Sequence, residues 1–236
     1  MGMTYNTNIV RDGLVACYDP ANSKSYSGIG NPLKNIHGAL ANSAIVSNTT
    51  FNTVNGGILV YGASQASGVV NVYPEDVGLG LLNETYTFWA KCDFPIENAL
   101  GGGFTNWIMQ WGGYYTNGSG GFGLHDGLFY RFYKGESGAG WSASGISAEG
   151  KLIYETYGWI LYSVVITGNN NIKVYMNNTL VSDNTLGIVY SGFSSNLIVI
   201  GRDVDMSLGP INLYNKPLSE AEISQNFEAT RGRYGI

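Results

Sequence analysis

Short runs of apolar residues, separated by clusters of Gly, Asn and Ser, make up most of this 236-residue chain. Runs of this length that are rich in Val, Ile, Tyr, Phe and Trp and bounded by turn residues predict β-strands. A succession of such strands is typical of a β-sandwich or a barrel. The predicted strands cover residues 14–18, 57–61, 85–91, 106–111, 122–125, 128–133, 157–166, 172–177, 179–181, 197–201 and 210–214.

Turn residues connect several of these strands. Asp126 and Gly127 separate two of them and predict a tight hairpin, because type I′ turns require positive φ at both central positions. Asp19-Pro20-Ala21-Asn22 predicts a turn after the first strand. The polar stretch 23–53 predicts a long loop with one or two brief strands, and residues 74–82 predict a short helical or irregular link.

The segment 172–177 shows the two-residue period of a strand with unlike faces. One face carries Ile172, Val174 and Met176, and the other carries Lys173, Tyr175 and Asn177. This alternation predicts a strand that turns at Asn177-Asn178 into the next one.

One helix is predicted, close to the end of the chain. Ser219 is placed to act as its N-cap, and Glu222 three positions later completes a capping box. Leu218 and Ile223 flank this start and predict a hydrophobic staple. Gly232 is the predicted C-terminal stop, because glycine ends helices at low steric cost.

The chain shows neither a linker nor an internal repeat. We therefore predict one domain at residues 9–236, preceded by a polar arm at residues 1–8. The arm lacks the basic and apolar regions of a secretory signal. No run of 18 apolar residues occurs, so no membrane insertion is expected.

Composition narrows the function classes. Charged residues make up only 12% of the chain, about half of the roughly 25% usual in globular domains. Solubility must therefore come from Asn, Ser, Thr, Gly and Tyr. The net charge is −5, and no cluster of Lys and Arg occurs. A nucleic-acid partner is excluded, because phosphate binding requires a basic surface.

The two cysteines, Cys17 and Cys92, lie far apart and have no CxxC spacing. Their separation argues against a zinc site. Two buried thiols or one disulfide between them both fit this spacing.

Three segments in the second half of the chain resemble a known fold. Residues 86–90, 158–164 and 173–181, in this order, are similar to strands of the laminin-G-like, concanavalin A-like jelly roll. The ending of that family is matched by residues 200–201 and 208–223. The resemblance implies an all-β, two-sheet antiparallel jelly-roll sandwich with a short C-terminal helix.

The two ends of the chain carry a more specific resemblance. Residues 13–26 and 225–235 are similar to structural proteins of tailed bacteriophages, especially marine and cyanobacterial phages. One departure is Asn177-Asn178, which stands in place of the family's Asn-Gly turn. The resemblance implies a non-enzymatic virion protein that is assembled in the host cytoplasm. It would decorate the capsid or form part of a tail fibre or spike. Its expected partners are other virion proteins, with the protein itself a homo-oligomer.

The same fold also occurs in β-glucanases, whose paired acids follow the pattern Glu-x-Asp-x-Glu. That pattern is absent here, so a glycan hydrolase is the weakest of the three functions considered. Asp203-Val204-Asp205 is the nearest alternation of carboxylates. Asp203 and Asp205 are candidate ligands for Ca²⁺, which prefers oxygen donors, or else belong to a polar loop. No other cofactor is expected.

Aromatic and polar residues are interleaved between positions 107 and 141. Sugar sites use flat aromatic faces together with hydroxyl and amide groups, so one function open to this chain is a carbohydrate-binding adhesin that recognises host polysaccharide. Core packing and a protein interface are alternative roles for the same side chains. The candidate binding residues are Trp111, Tyr114, Tyr115, Asn117, His125, Tyr130 and Trp141.

Overall fold

Sixteen strands, two α-helices and a C-terminal 3₁₀ helix account for most of the described chain. The structure is a computed structural model that describes residues 8–29, 33–37, 43–47, 49–54, 57–61, 69–72, 79, 83–92, 106–111, 120–125, 128–135, 138–144, 148–168, 171–185, 198–202 and 206–236. The first eight strands are β1 (Leu14–Tyr18), β2 (Leu33–Lys34), β3 (Ser43–Ser47), β4 (Thr50–Asn52), β5 (Ile58–Tyr61), β6 (Val69–Val72), β7 (Asn83–Cys92) and β8 (Asn106–Trp111). The others are β9 (Gly120–His125), β10 (Leu128–Gly135), β11 (Gly138–Ser144), β12 (Ile160–Thr167), β13 (Asn171–Met176), β14 (Thr179–Thr185), β15 (Ile198–Arg202) and β16 (Met206–Tyr214). The helices are α1 (Ala148–Thr156), α2 (Glu220–Thr230) and the 3₁₀ helix Arg231–Tyr234.

The strands form two antiparallel sheets of eight strands each. In the first sheet the order is β14-β13-β12-β7-β16-β5-β4, and β1 also pairs with β16. In the second sheet the order is β11-β10-β9-β8-β15-β6-β3-β2. The predicted two-sheet antiparallel sandwich is confirmed. The described residues include no helix long and apolar enough to cross a membrane.

Apolar side chains from both sheets fill the space between them. Tyr18, Tyr86, Phe88 and Tyr162 are among the largest fully buried side chains of this core. The rings of Phe88 and Tyr162 stack at 5.6 Å between centroids on neighbouring strands. Burial of these large rings supplies the main driving force for the packing of the two sheets.

Strand β13 confirms the predicted alternation. Ile172, Val174 and Met176 lie in the core between the sheets. Tyr175 points to the other side, where it is also buried, in a second apolar cluster. This burial on both sides shows that the outer face of the first sheet is covered.

Helix α2 supplies that cover. Its predicted N-terminus is confirmed: the Glu222 backbone N–H donates to Ser219 Oγ, and the Ser219 backbone N–H donates to Glu222 Oε2. Leu218 and Ile223, the predicted staple pair, are both buried in the outer cluster. The amide of Asn226 links the helix to both neighbouring segments, since it donates to Tyr214 Oη and accepts from the backbone N–H of Val10.

The predicted helix stop at Gly232 is wrong. Helix α2 ends at Thr230, and Arg231 keeps right-handed helical angles and donates its backbone N–H to the Phe227 carbonyl. The chain therefore tightens into the 3₁₀ helix and does not leave the helix axis. The left-handed glycine that closes this segment is Gly235, with φ of 72°.

Several elements were not predicted. The stretch 23–53 contains three brief strands, β2 to β4, where one or two were expected. Strands β6 and β11 and helix α1 were missed altogether. Gly138, Ala139 and Gly140 in β11 have little intrinsic preference for strands, and the pairing with β10 holds them in the sheet. The link expected at 74–82 lies outside the described residues except for Leu79.

Candidate functional site

A cavity of about 470 Å³ lies on the outer side of the first sheet. Strands β1 and β16 contribute Cys17, Pro210 and Asn212 to its lining. The end of α2 and the 3₁₀ helix contribute further residues from the opposite side, among them Thr230 and Arg233. We call residues 220–234, which form α2 and the 3₁₀ helix, the C-terminal segment. The cavity lies where this segment crosses the sheet.

Arg233 joins three parts of the chain at this cavity. Its Nη1 donates to Asp19 Oδ1 at 3.0 Å and to Asp19 Oδ2 at 3.2 Å, and its Nη2 donates to the Gly57 carbonyl at 2.9 Å. The side chains of Arg233 and Asp19 are only 15% and 17% exposed. Such a charge-assisted contact is stronger than a neutral hydrogen bond. We call the contact of Arg233 with Asp19 and Gly57 the C-terminal clasp.

The turn after β1 presents Asp19 to the clasp. Asp19 Oδ1 accepts from the Ala21 backbone N–H, and the Asp19 carbonyl accepts from the Asn22 backbone N–H, each at 3.0 Å. Ser25 Oγ accepts from the Asp19 N–H and donates to the Lys34 carbonyl. The turn predicted at residues 19–22 is thus confirmed, and Asp19 serves both the turn and Arg233.

Gly57 allows the chain to pass close to this turn. Its φ is 139°, and a Cβ at this position would lie 2.8 Å from the Ala21 Cα. A larger residue would therefore separate β5 from the turn and would displace the carbonyl that Arg233 binds.

Tyr234, beside Arg233, anchors the C-terminal segment to the sheet. Its ring lies 4.3 Å from Trp89 and 4.6 Å from Trp159, measured between centroids. The hydroxyl group is buried and finds no hydrogen-bond partner in the described part of the chain. Burial raises the pKa of Tyr234 well above its usual value. A Cβ on Gly209 would clash with this hydroxyl oxygen.

A row of small polar residues crosses the sheet at the cavity. Ser163, Thr87, Asn212 and Cys17 lie directly opposite one another on β12, β7, β16 and β1. Asn212 Nδ2 donates to Thr87 Oγ1 at 3.5 Å. Asn212 Oδ1 and Ser163 Oγ are buried and accept no hydrogen bond from any described residue. A buried polar atom without a hydrogen-bond partner lowers the stability of the fold. The row is therefore an unfavourable surface for burial against the C-terminal helix.

Cys17, at the end of this row, is a buried thiol. This finding favours two thiols over the disulfide that the spacing left open. The side chain of Cys92 in β7 lies outside the described residues.

The charges around the cavity cancel in pairs. Asp19 is paired with Arg233, and Glu228 accepts from Arg231 Nε at 2.7 Å. The two carboxylates of the lining are therefore both neutralised by arginines. A charged molecule in this cavity would therefore have to compete with these two ion pairs.

Three of the predicted binding residues lie on the neighbouring strands β9, β10 and β11 of the second sheet. Trp141 pairs with Phe132, and His125 pairs with Leu128, which are the positions two residues on either side of Tyr130. Directly paired residues share a side of a pleated sheet, as do residues two positions apart. The register thus places His125, Tyr130 and Trp141 on one side, with Tyr130 a diagonal neighbour of each of the other two, roughly 7–8 Å away in such sheets.

Trp111 is separated from these three. It ends β8 and pairs with Gly120, which pairs in turn with Tyr133 of β10. Tyr133 is an odd number of positions from Tyr130, so the register places Trp111 on the opposite side of the sheet. The remaining candidates, Tyr114, Tyr115, Asn117, Asp203 and Asp205, lie outside the described residues.

The hairpin between β9 and β10 has the predicted length. His125 pairs with Leu128, which leaves the two-residue connection expected from Asp126 and Gly127. Those two residues themselves lie outside the described part. The described residues contain no group of three or more His, Cys, Asp or Glu side chains able to hold a metal ion, and the role of Asp203 and Asp205 stays a prediction.

Sequence reasoning did not assign the cavity. Asp19 and Arg233 both fall within the end motifs that resemble phage proteins, residues 13–26 and 225–235. The presence of both motifs in one chain was the one feature of the sequence that pointed to a contact between them. The clasp accounts for it, because Arg233 of one motif binds Asp19 of the other. Asn212 had no such signal, because an Asn in a strand is usually exposed.

No protein-family model matches the sequence, and a search of curated proteins finds no relative. Solved structures do match. The binding domain of Paraclostridial Mosquitocidal Protein 1 aligns with a TM-score of 0.67 and 13% identity, over 91% of this chain and 52% of that one. The botulinum neurotoxin serotype D ligand binding domain in complex with N-acetylneuraminic acid aligns with a TM-score of 0.67 and 14% identity, over 93% and 51%.

A sialidase also matches. The Trypanosoma rangeli sialidase in complex with the inhibitor DANA aligns with a TM-score of 0.66 and 15% identity, over 93% of this chain and 33% of that one. The chain thus spans about half the length of the two binding domains and a third of the sialidase. At these identities the matches show the fold alone, a two-sheet β-sandwich.

Proposed function

We propose that this protein is a non-enzymatic binding module on the virion of a tailed phage, where it decorates the capsid or forms part of a tail fibre or spike. The observation that carries the proposal is the fold. Its lectin-like sandwich aligns over more than nine-tenths of its length with domains whose described role is binding. The resemblance of the two end motifs to phage structural proteins supports the virion location.

The architecture suits presentation of a surface. Two eight-stranded sheets enclose one continuous apolar core, and the clasp ties the C-terminal segment to the start of the fold. A rigid scaffold of this kind positions loops and strand faces with little conformational entropy to lose on binding.

The virion role is tested on purified particles of the phage that encodes this protein. Quantitative mass spectrometry should find the protein in a fixed number of copies per particle, and a symmetric homo-oligomer should give a copy number that matches the symmetry of the capsid or the tail. Absence from particles that contain their full set of capsid and tail proteins would reject the role.

The polar arm at residues 1–8 has a separate proposed role. We expect it to dock on a neighbouring virion protein by strand addition, in which backbone hydrogen bonds provide the contact. Deletion of residues 1–8 should then lower incorporation into particles while the isolated protein still folds. Unchanged incorporation would contradict this role.

A carbohydrate-binding adhesin is the second candidate function. It is favoured by the register of β9 to β11, which puts His125, Tyr130 and Trp141 on one side of the sheet. On a glycan array of bacterial surface polysaccharides, the protein should bind at least one class. Tyr130→Ala and Trp141→Ala should each weaken that binding about tenfold or more, whereas Lys151→Ala on the exposed face of α1 should not. Silence across the array would exclude the adhesin and leave the virion role untouched.

A glycan hydrolase remains the third and weakest candidate, for which the match to a sialidase is the one supporting observation. Ca²⁺ binding at Asp203 and Asp205 is a separate proposal, tested by thermal melting. If Ca²⁺ binds there, it should raise the melting temperature of the protein but not that of the Asp203→Asn, Asp205→Asn variant.

A further inference from the structure

The cavity beneath α2 has the size and lining of a ligand site that is distinct from the β9–β11 surface. Small-molecule sites in proteins run from about 300 to 1,000 Å³, and this cavity measures about 470 Å³. Its volume therefore accommodates a small molecule and is too small for a folded partner.

The lining combines apolar and polar groups. Ile9, Ala21, Pro210 and Ala229 provide apolar surface, and Asn22 provides a half-buried amide. The charged side chains of the lining are neutralised by arginine partners, as described above. Such a mixture of apolar contacts and a few fixed hydrogen-bonding groups is typical of sites that bind uncharged polar molecules.

Asn212 supplies the second observation. Its side chain is more than nine-tenths buried and lines the cavity, and its Oδ1 accepts no hydrogen bond from any described residue. A hydroxyl group is the complementary donor for an amide oxygen. The Oδ1 atom itself has almost no accessible surface, so a ligand hydroxyl group reaches it only when the amide turns toward the cavity. Such a turn breaks only the long 3.5 Å hydrogen bond to Thr87 Oγ1, and a hydroxyl-rich ligand then offsets the cost of the unsatisfied acceptor.

We propose that the cavity binds a neutral, hydroxyl-rich molecule of about one sugar ring. Asp19 and Arg233 of the lining pair with each other, and Glu228 pairs with Arg231 beside the cavity, so a charged ligand would have to compete with an existing ion pair. The inference does not rest on the adhesin or the virion role, because it concerns a different side of the molecule.

The test is a titration of the ¹⁵N-labelled full chain followed by ¹H–¹⁵N correlation spectra. The neutral probes are galactose, N-acetylglucosamine and myo-inositol, and the charged probes are glucuronate and glucosamine. At least one neutral probe should shift the backbone amide signals of Asn22, Ala229 and Gly232 with a millimolar dissociation constant, the range expected for so small a ligand. The charged probes should bind at least about tenfold more weakly.

Gly232 offers a variant that blocks the cavity. It lines the cavity, and a Cβ there would meet nothing within 4 Å, so Gly232→Phe introduces a ring without a steric clash at its first atom. The matched control is Gly158→Phe, at an exposed glycine outside the cavity whose Cβ would contact only the flexible Lys91 side chain. Gly232→Phe should weaken binding about tenfold or more, and the control should not.

A second variant covers the case in which Gly232→Phe fails to fold. Asn22→Ala removes the polar group of the rim, which accepts a hydrogen bond from the exposed backbone N–H of Lys24. It should weaken binding severalfold at an unchanged melting temperature. The proposal is overturned if no neutral probe shifts the cavity signals at 100 mM, roughly a hundredfold the expected constant. It is also overturned if binding persists in both variants, or if charged probes bind equally well.

Discussion

Tyr234 and Gly209 show how a single residue pair determines the local packing of the C-terminal segment. The tyrosine ring stacks on Trp89, and its hydroxyl group occupies the space in which a Cβ of residue 209 would lie. The φ of Gly209 lies outside the left-handed region, so backbone conformation does not require glycine here. The close approach of the Tyr234 hydroxyl group does.

Gly209→Ala is expected to lower the free energy of unfolding by about 1–3 kcal/mol, the usual cost of an overpacked core. Tyr234→Phe alone should change the free energy of unfolding by less than about 1 kcal/mol, because the hydroxyl it removes has no partner. In the double variant the cost of Gly209→Ala should be smaller than in the single one. Urea denaturation of the four proteins gives this coupling, and additive effects would contradict the predicted contact.

The C-terminal clasp makes a second prediction at this scale. Arg233→Gln leaves the partly buried Asp19 without its cation and the Gly57 carbonyl without its donor. We expect a loss of roughly 2–3 kcal/mol in the free energy of unfolding. Arg231→Gln, at an exposed pair on the same segment, should cost less than about 1 kcal/mol. Equal losses in the two variants would show that the clasp adds nothing beyond a surface ion pair.

Asn177 carries a third residue-level prediction. It is the one non-glycine residue with positive φ, 58°, in the described part of the chain. Its Oδ1 accepts from the backbone N–H of Leu161 at 3.1 Å. Asn177→Gly removes the hydrogen bond and keeps the conformation, whereas Asn177→Ala loses both. In thermal unfolding, the alanine variant should be less stable than the glycine variant by about 1 kcal/mol in the free energy of unfolding. The reverse order would contradict the role of the left-handed turn.

Among the secondary-structure elements, helix α2 is stabilised at its N-terminus by interactions that the sequence predicts. Its first turn contains the capping box of Ser219 and Glu222, to which Lys216 adds an ion pair with Glu222 at 2.7 Å. The contact with Lys216, followed by the hydrogen bonds from Ser219, lowers the pKa of Glu222 below its usual value of 4.5.

This pKa shift predicts a pH dependence of stability. Because the folded pKa of Glu222 lies below the unfolded one, its contribution is present in full above about pH 4.5 and is lost as the pH falls through the folded pKa. Glu222→Gln should therefore lower the melting temperature at neutral pH. It should also flatten the decline that this shift predicts for the wild type below about pH 4.5. Glu149→Gln, exposed in the first turn of α1, is the control and should leave the decline unchanged.

Element boundaries were predictable where local patterns decide them. The hairpin of β9 and β10, the alternation in β13 and the start of α2 follow from turn residues, the two-residue period and a capping box, all of which act over a few positions. Strand β11 and the 3₁₀ helix could not be predicted, because pairing with β10 and the stacking of Tyr234 on Trp89 override the weak preferences of Gly138 and Gly232.

For the whole molecule, the C-terminal segment is a structural part of the sandwich. Trp89, Leu161 and Tyr214 on the outer face of the first sheet are almost completely buried, together with Ile223, Phe227 and Tyr234 of the segment. Without that cover the sheet would expose a contiguous apolar patch, a common cause of aggregation.

Truncation after Leu218 is expected to abolish the soluble monodisperse fold. The shortened chain should bind a hydrophobic dye strongly and should aggregate in size-exclusion chromatography, because the outer aromatic face is no longer covered. Deletion of residues 1–7 serves as the comparison and should leave dye binding low. A truncated protein that stays monodisperse with native near-ultraviolet circular dichroism would contradict this role of the segment.

The sequence by itself determined the class of fold, the β13 alternation and the start of the last helix, because strand period, turn chemistry and helix capping are local properties. It also named His125, Tyr130 and Trp141 together, but only the register of β9 to β11 decided that these three share a side and that Trp111 does not. The cavity, the contact of Arg233 with Asp19 and the unsatisfied amide of Asn212 were decided by the tertiary structure alone. The cavity and the Arg233–Asp19 contact bring together residues from opposite ends of the chain, and no local pattern encodes a contact across more than 200 positions. The unsatisfied amide follows from the pairing of three separate strands around Asn212.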